Sequence, residues 1–263
     1  MKISLIIPVY NEAPFLRRCL ASVPVSADVE TIIVDDGSTD GSADIIREYE
    51  ENTRHGIQIT AKYHDTNWGV SMARNHALSA AQGDYISFLD ADDELAPGAI
   101  PAMLSAAERA DKTGDVITMF NHMRCYGNAA PVPKFTNRRG YYDLRNTPAK
   151  WTTVWGKLIR RDFITENGIR FRSGIQYGED EIFLLECLRL CRRFYHNEAA
   201  AILKHYDNPN SLTKTLTKKK VNDFMRAEME LIEQDNPPDF DAALRQIIAD
   251  HWNASAFVGI YGK

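Results

Sequence analysis

The chain predicts an α/β fold: a mostly parallel sheet flanked by helices, followed by a C-terminal helical extension. Three observations predict it. The first 120 residues alternate short apolar runs with helix-period segments, the pattern of right-handed β-α-β crossovers. The runs at 3–8 and 85–89 are each apolar but for one serine, as strands buried on both faces are. The turns Asp35-Asp36-Gly37-Ser38 and Asp90-Ala91-Asp92-Asp93 each follow such a run directly. Ligands of open parallel sheets sit beyond the strand carboxyl ends, so these turns are expected to converge on one rim.

Residues 3–8 are the first strand, too short and too quickly polar for a secretion signal. Asn11 is placed to cap a helix carrying Phe15, Leu16, Cys19 and Leu20. Residues 29–34 are the second strand. Ser38, Thr39 or Asp40 caps the next helix, with Ile45, Ile46 and Tyr49 inward. Ile57, Ile59, Ala61 and Tyr63 alternate along a third strand, 57–63. Asn67-Trp68-Gly69 is a turn, 70–81 a helix and 85–89 the fourth strand. Ile100, Met103, Leu104 and Ala107 make one stripe of a helix over 100–110, and 116–120 is the fifth strand. Gly127, Pro131, Pro133, Gly140 and Pro148 then break up 121–150, which reads as a β-ribbon or a long loop. Mixed structure returns over 151–205, with a helix at 179–190. From about 219 two amphipathic helices follow, one lined by Val221, Phe224, Met225 and Ile232, the other by Leu244, Ile247, Ile248 and Trp252. Asn236-Pro237-Pro238-Asp239 separates them.

Composition narrows the function. The 263 residues are 44% hydrophobic and 25% charged, with a net charge of -5. That is ordinary soluble composition, and the acidic balance argues against nucleic-acid binding. No apolar stretch reaches the roughly 18 residues of a spanning helix. Cys19, Cys125, Cys187 and Cys191 form no C-x-x-C pair and read as buried, reduced thiols of a cytoplasmic protein. Lys218-Lys219-Lys220, a solvated helix start by default, with Thr213-Lys214 could instead cover a diphosphate or touch anionic lipid at the inner face of a membrane. The C-terminal stripes suit core packing or a homodimer surface.

The acidic turns crowd like charges at strand ends, where repulsion and desolvation both oppose them. A divalent cation would compensate. Mg²⁺ and Mn²⁺ take one or two carboxylates plus phosphate oxygens and water; the alternative is a solvated turn. No G-x-x-x-x-G-K-[ST] loop occurs, and no G-x-G-x-x-G follows the first strand. A metal-bridged diphosphate at Asp92 would replace either.

The motifs Pro8-Val9-Tyr10-Asn11-Glu12, Val34-Asp35-Asp36-Gly37-Ser38-Thr39-Asp40, Asn67-Trp68-Gly69-Val70-Ser71-Met72-Ala73-Arg74-Asn75 and Phe88-Leu89-Asp90-Ala91-Asp92-Asp93 resemble, in order, those of family-2 glycosyltransferases. So do Trp155-Gly156-Lys157-Leu158, Gly178-Glu179-Asp180-Glu181 and Asn208-Pro209-Asn210-Ser211-Leu212-Thr213. The resemblance implies a Rossmann-like fold of GT-A type over 1–213, with a nucleotide-binding half at 1–120 and an acceptor-binding half at 121–213. Residues 214–263 are then the helical extension. It implies inverting transfer of a hexosyl or N-acetylhexosaminyl group from a nucleotide-diphosphosugar, with Mn²⁺ or Mg²⁺.

By that resemblance Pro8, Val9, Tyr10 and Glu12 pack around base and ribose, and Asn67 lies in the same nucleotide-binding set. Asp36 or Asp35 accepts a hydrogen bond from the base, which suits the imide N–H of uracil or thymine, a UDP-sugar being favoured. Arg74 lies where a cation could meet the donor phosphates, Asp90 and Ala91 beside ribose or sugar, and Asp92 on the metal. His205 could complete the metal shell, or serve packing.

Inverting transfer needs a base for the acceptor hydroxyl. Glu179 and Asp180 open a helix, whose N-terminus favours the ionised form. As residues alone they read equally as helix-start acids; the resemblance assigns Asp180 as base and Glu179 to the acceptor. Trp155 could stack on a sugar, and Lys157 could meet phosphate or acceptor. The acceptor is expected to be a glycan or lipid-linked glycan of the cell envelope. Two alternatives stand beside this one. A sugar-1-phosphate nucleotidyltransferase would carry a Gly-rich basic loop where Val9-Tyr10-Asn11-Glu12-Ala13 stands. A non-catalytic nucleotide- or carbohydrate-binding module would not need the set Asp36, Asp92 and Asp180.

Overall fold

The computed structural model describes residues 1–52, 58–127, 129–134, 138–146, 152–209 and 216–253. Ile57, Pro148, Asn210 to Lys214 and the side chain of Trp252 lie outside the described residues. The N-terminal units are β1 (Ile3–Val9), α1 (Ala13–Ala21), β2 (Val29–Asp35), α2 (Ser42–Asn52), β3 (Gln58–Tyr63), α3 (Val70–Ala80) and β4 (Tyr85–Phe88). Next come β5 (Glu94–Leu95), α4 (Ala99–Thr113), β6 (Ile117–Cys125), β7 (Val132–Lys134), β8 (Gly140–Tyr142), β9 (Lys157–Arg160) and α5 (Arg161–Glu166). The chain continues through α6 (Glu179–Cys191), β10 (Phe194–His205), α7 (Lys218–Ile232) and α8 (Pro238–Asn253).

The strands form one sheet in the order β3-β2-β1-β4-β9-β6-β10-β5, with β7 on β6 and β8 on β10. β3, β2, β1 and β4 pair in parallel, as do β6 and β10. β9 is antiparallel to both β4 and β6, so all six of those strands point the same way. Only the short strands β5, β7, β8 and β9 run against them. Alternate side chains of a strand face opposite layers. On β1, Ile3, Leu5, Ile7 and Val9 pack with α1 and α4, whereas Ile6 packs with α3 and α6. The central strands β1, β2 and β4 are therefore buried on both faces, whereas the edge strand β3 is half-exposed and alternates.

Several expectations change in detail. Asn11 does not cap α1. It holds φ 54, and its Oδ1 accepts from the Thr39 amide at 2.8 Å. The neighbouring loop does the capping: Asp40 Oδ2 accepts from the Ala13 amide at 2.9 Å, and its Oδ1 accepts from the Ser42 amide at 3.1 Å. One aspartate thus satisfies the open N–H groups of two helices. The fifth strand is longer than 116–120, because the long β10 pairs with it as far as Cys125. The open stretch 121–150 contributes the end of β6 together with β7 and β8. Cys19, Cys125 and Cys187 are buried thiols and Cys191 is half-buried.

The C-terminal helices join the main core. Phe224, Ala227, Leu231, Phe240, Leu244 and Ile248 share one apolar cluster with Ile182 and Leu185 of α6; Met225, Ile232 and Ile247 are half-buried. Gly178, just before α6, has φ +76, and a Cβ there would stand 2.3 Å from the Phe224 ring. A side chain at 178 would therefore push α7 away from the start of α6.

Candidate active site

The carboxyl ends of β1, β2, β4 and β10 meet at one rim, as the sequence predicts. At the β2 end Asp36 is buried and tied to the chain. Its Oδ1 accepts from the Trp68 amide at 2.9 Å and lies 2.7 Å from His64 Nδ1; its Oδ2 accepts from the Gly69 amide at 2.7 Å. Asp36 thus fixes the start of α3. His64 carries the link onward, with its Nε2 2.8 Å from His76 Nδ1 and its ring stacked on Trp68. A carboxylate has about four acceptor positions, so Asp36 retains one. Asp35, also buried, has an Oδ1 with no hydrogen-bond partner. This tight approach needs Gly37, where φ is +73 and a Cβ would lie 2.5 Å from the Thr66 carbonyl carbon. Asn67 belongs to the same close contact. Pro8 and Val9 lie at the end of β1, and Tyr10 beyond it is 45% exposed.

At the β4 end Asp90, Asp92 and Asp93 bring carboxylate oxygens within 4.8 Å of one another. What opposes their repulsion in the chain itself is Lys204, on β10. Its ammonium lies 2.8 Å from Asp93 Oδ2, 3.5 Å from Asp90 Oδ2 and 3.8 Å from Asp92 Oδ1. The three carboxylates hold the lysine charged well above its ordinary range, against burial. Asp93 is fully buried, and burial drives its carboxyl upward. Asn208 donates to Asp92 Oδ2 at 2.9 Å and to Glu12 at 3.2 Å, joining the β1 loop to the acidic turn. Burial and the nearby Asp92 raise the Glu12 carboxyl to about 7. His205 points elsewhere: its Nε2 lies 2.7 Å from Glu94 Oε1 and its amide donates to Asp93 Oδ1. Among the described residues it is outside the group formed by the three aspartates. Arg18 completes this edge, donating to the Asp92 carbonyl at 2.8 Å.

Arg74 connects the two acidic sites. It is 3% exposed. Its Nη2 donates to Asp90 Oδ1 at 3.2 Å, and its Nη1 donates to Glu179 Oε1 at 3.0 Å and Asp180 Oδ1 at 2.6 Å. Its Nε is buried with no partner. The second Asp180 oxygen accepts from the Val154 amide at 3.1 Å. Burial raises the Asp180 carboxyl, and Glu179 and Asp90 add to the rise; Arg74 opposes it. In all, Asp90, Asp92, Asp93, Glu179 and Asp180 are held by two cations, Arg74 and Lys204. The remaining excess of negative charge and the all-oxygen donor set fit a hard divalent cation.

Trp155 is half-buried beside this network, its ring centroid 5.8 Å from the Lys204 ammonium. Lys157 is buried; its ammonium meets the Trp155 carbonyl at 3.4 Å, and burial lowers it to about 7. Ala91 is buried within the acidic turn. Lys204, Arg18 and the paired roles of Asp93 and Glu94 were not legible in sequence. Single basic residues on a helix or strand carry no periodic signal, and only the pairing of β10 with β6 and β5 brings Lys204 to the aspartates.

A parallel-centred sheet with acidic turns at its carboxyl edge, joined through a buried arginine to a carboxylate helix, defines a GT-A type fold. The glycosyl transferase family 2 profile matches residues 4–167, and the chain belongs to that family. It is 30% identical over 235 residues to the uncharacterised glycosyltransferase YibD of Escherichia coli, an alignment covering 80% of this chain and 66% of that protein. It is 31% identical over 189 residues to the poly(ribitol-phosphate) beta-glucosyltransferase of Bacillus spizizenii, covering 70% of this chain and 29% of that one. The chain thus spans about two thirds of the first relative and under a third of the second. Among solved structures, S. aureus TarS 1-349 in complex with UDP-GlcNAc superposes with a TM-score of 0.78 at 22% identity, covering 96% of this chain and 72% of that one. The mannosyltransferase PcManGT of Pyrobaculum calidifontis, in complex with GDP-Man and Mn²⁺, gives 0.69 at 17% identity, covering 96% and 70%.

Proposed function

We propose that this chain is an inverting glycosyltransferase that moves a hexosyl or N-acetylhexosaminyl group from a nucleotide-diphosphosugar to a hydroxyl of a glycan or lipid-linked glycan. One observation carries the reading. Arg74 ties the donor-side Asp90 to Asp180 and Glu179 in a single buried network, so base and donor site are held at fixed separation.

Asp180 is the base. It sits in the first turn of α6, where the helix N-terminus stabilises its charge. Burial and two neighbouring acids raise its proton affinity, toward the range where a base works best near neutral pH. Arg74 and the Val154 amide fix one oxygen each, which aims the remaining lone pairs at the incoming hydroxyl. Glu179 positions Arg74 and lies beside the acceptor path. Trp155 offers a ring for a sugar face, and the Lys157 amine lies beside it, donating to the Trp155 carbonyl. Asp92, with Asp90 and Asp93, would hold Mn²⁺ or Mg²⁺, which supplies Lewis-acid stabilisation to the departing diphosphate. Asp35 and the spare acceptor position of Asp36 suit an imide N–H, which favours uracil. The UDP-GlcNAc complex of a neighbour with the same fold is in keeping with that choice, as is the Mn²⁺ in the other. The named relative that acts on poly(ribitol-phosphate) supports a cell-envelope polymer as acceptor. Among the described residues no helix is long and apolar enough to cross a membrane.

Calorimetric titration of UDP, GDP, CDP and dTDP, with and without Mn²⁺, tests the reading. Metal-dependent binding of UDP is expected, and Asp92→Asn should abolish the metal dependence; binding of no nucleotide by folded protein would overturn the proposal. Asp180→Asn should keep nucleotide affinity and lose about 10²–10⁴-fold in transfer rate. Near-normal turnover would remove Asp180 as base.

A further inference from the structure

A strip of rings with one unanswered charge runs outward from the acidic rim along β6 and β10. The two strands pair in parallel, with His122 opposite Ile202 and Arg124 opposite Lys204. Residues two apart on a strand share a face, so His122, Arg124 and Tyr126 follow one another over about 13 Å, at about 3.3 Å per residue. The pairing runs on past the strand ends, where the Tyr206 amide donates to the Cys125 carbonyl at 3.2 Å. At the inner end Trp155 stands edge-on to His122, ring centroids 4.9 Å apart, and bridges to Phe88 at the end of β4. At the outer end Tyr126 and Tyr206 stack at 5.1 Å. Both of these rings stand open to solvent, with the two tyrosines 51% and 42% exposed.

Arg124 lies between these two ring pairs. It is half-buried, its guanidinium carbon stands 5.8 Å from the Tyr206 ring centre, and its Nε is buried with no hydrogen-bond partner. Among the described residues no carboxylate meets its guanidinium. The other cations of this rim are all answered. Arg74 holds Asp90, Glu179 and Asp180, Arg18 holds Glu94 and Asp207, and Lys204 holds the three aspartates. β10 stands between β6 and β5, so Lys204 separates Arg124 from the acidic turn that leads into β5. A partly desolvated cation without a counter-charge is costly. A guanidinium fork matches a carboxylate or a phosphate through two parallel hydrogen bonds. The rings on either side of it offer flat apolar faces with polar edges, which suit the C–H faces of sugar or polyol units. An anion flanked by such units is what a charged glycan or polyol chain repeats.

We propose that the strip formed by Trp155, His122, Arg124, Tyr126 and Tyr206 binds an anionic acceptor chain, a glycan or polyol polymer bearing carboxylate or phosphodiester groups, and that Arg124 selects the charge. That the bound chain is the acceptor rests on the transferase reading; its binding does not. The test is calorimetric titration of the full chain with three probes of similar length: tetragalacturonate, a glycerol-phosphate tetramer and neutral maltotetraose. At least one acidic probe should bind about tenfold or more tighter than maltotetraose, and the one that does names the anion. Arg124→Gln should remove that preference and leave UDP affinity unchanged. Tyr126→Ala, at an exposed position where folding is not at stake, should weaken the acidic probe about two- to tenfold through the lost ring face. Equal affinity for acidic and neutral probes, no binding of either acidic probe at millimolar concentration, or a preference that survives Arg124→Gln would overturn the proposal. So would a fall in UDP affinity in that variant, which would put Arg124 on the donor diphosphate. Wild type that prefers the acidic probe but binds no nucleotide would leave this site standing and remove the transferase reading alone.

Discussion

Replacing Arg74 by methionine removes the guanidinium and keeps most of the buried stem. In the folded protein the guanidinium meets Asp180 at 2.6 Å, Glu179 at 3.0 Å and Asp90 at 3.2 Å. Breaking a buried ion pair by deleting one partner costs about 3–5 kcal/mol, because the other charge stays buried. Lys204 still compensates Asp90 in part, so the loss should fall on Asp180 and Glu179 and stay near the lower figure. Against a domain stability of about 5–15 kcal/mol the variant remains folded but weakened. The deficit depends on pH. Arg74 is the group that lowers the Asp180 carboxyl against burial, so without it the carboxyl rises further. A carboxyl whose folded pKa lies above its unfolded value contributes stability below the unfolded pKa, and that contribution is lost as pH rises through the folded one. The Asp180 part of the Arg74→Met deficit should therefore be absent near about pH 4 and open as pH rises through about 7, where Asp180 ionises with Arg74 in place. Urea melts at about pH 4, 6 and 8.5 would measure it. A deficit under about 1 kcal/mol at pH 8.5, or one of equal size at all three, would refute the reasoning. Arg74→Lys should recover only part, since an ammonium lacks the planar fork that reaches three carboxylates.

Two further predictions concern the rim. Lys204→Met should tighten Mn²⁺ binding to the nucleotide-free protein about tenfold or more, because the ammonium competes for the same oxygens; electron paramagnetic resonance of free Mn²⁺ reads this, and unchanged affinity would mean no competition. Gly37→Ala should cost about 1–3 kcal/mol in a urea melt, from positive φ and a collision with the Thr66 backbone. A loss below about 0.5 kcal/mol would show that the two loops are free to part.

Much of the fold was legible because it rests on local pattern. Ile3 to Val9 and Val29 to Asp35 carry apolar residues on both faces and are buried on both, as strands of a sheet covered on both sides are. The helix at Glu179 was legible from its acids and the apolar run behind them. β9 was not: four residues, Lys157 to Arg160, run antiparallel between β4 and β6, and so short a segment has no period to read. The Asn11 cap failed for a related reason. Asn11 is a good capping residue, but Asp40 from the next loop takes the helix amides instead.

In the site, the acidic turns at Asp35-Asp36 and Asp90 to Asp93 and the pair Glu179-Asp180 were legible as chemistry, since their residue types and positions follow from the chain alone. The family was determined there as well, by ordered motifs that survive any change of packing. Only the tertiary structure decided which cations answer those charges. Arg74 reaches Asp90 and Asp180 across long separations in sequence, and Lys204 reaches Asp93 from the far strand β10. The same holds for the strip at Arg124, which Trp155 and Tyr206 join from distant parts of the chain. Local sequence sets secondary structure because its forces act between near neighbours. Charge compensation in a buried site acts through space, between groups that only the folded chain brings within a few ångströms.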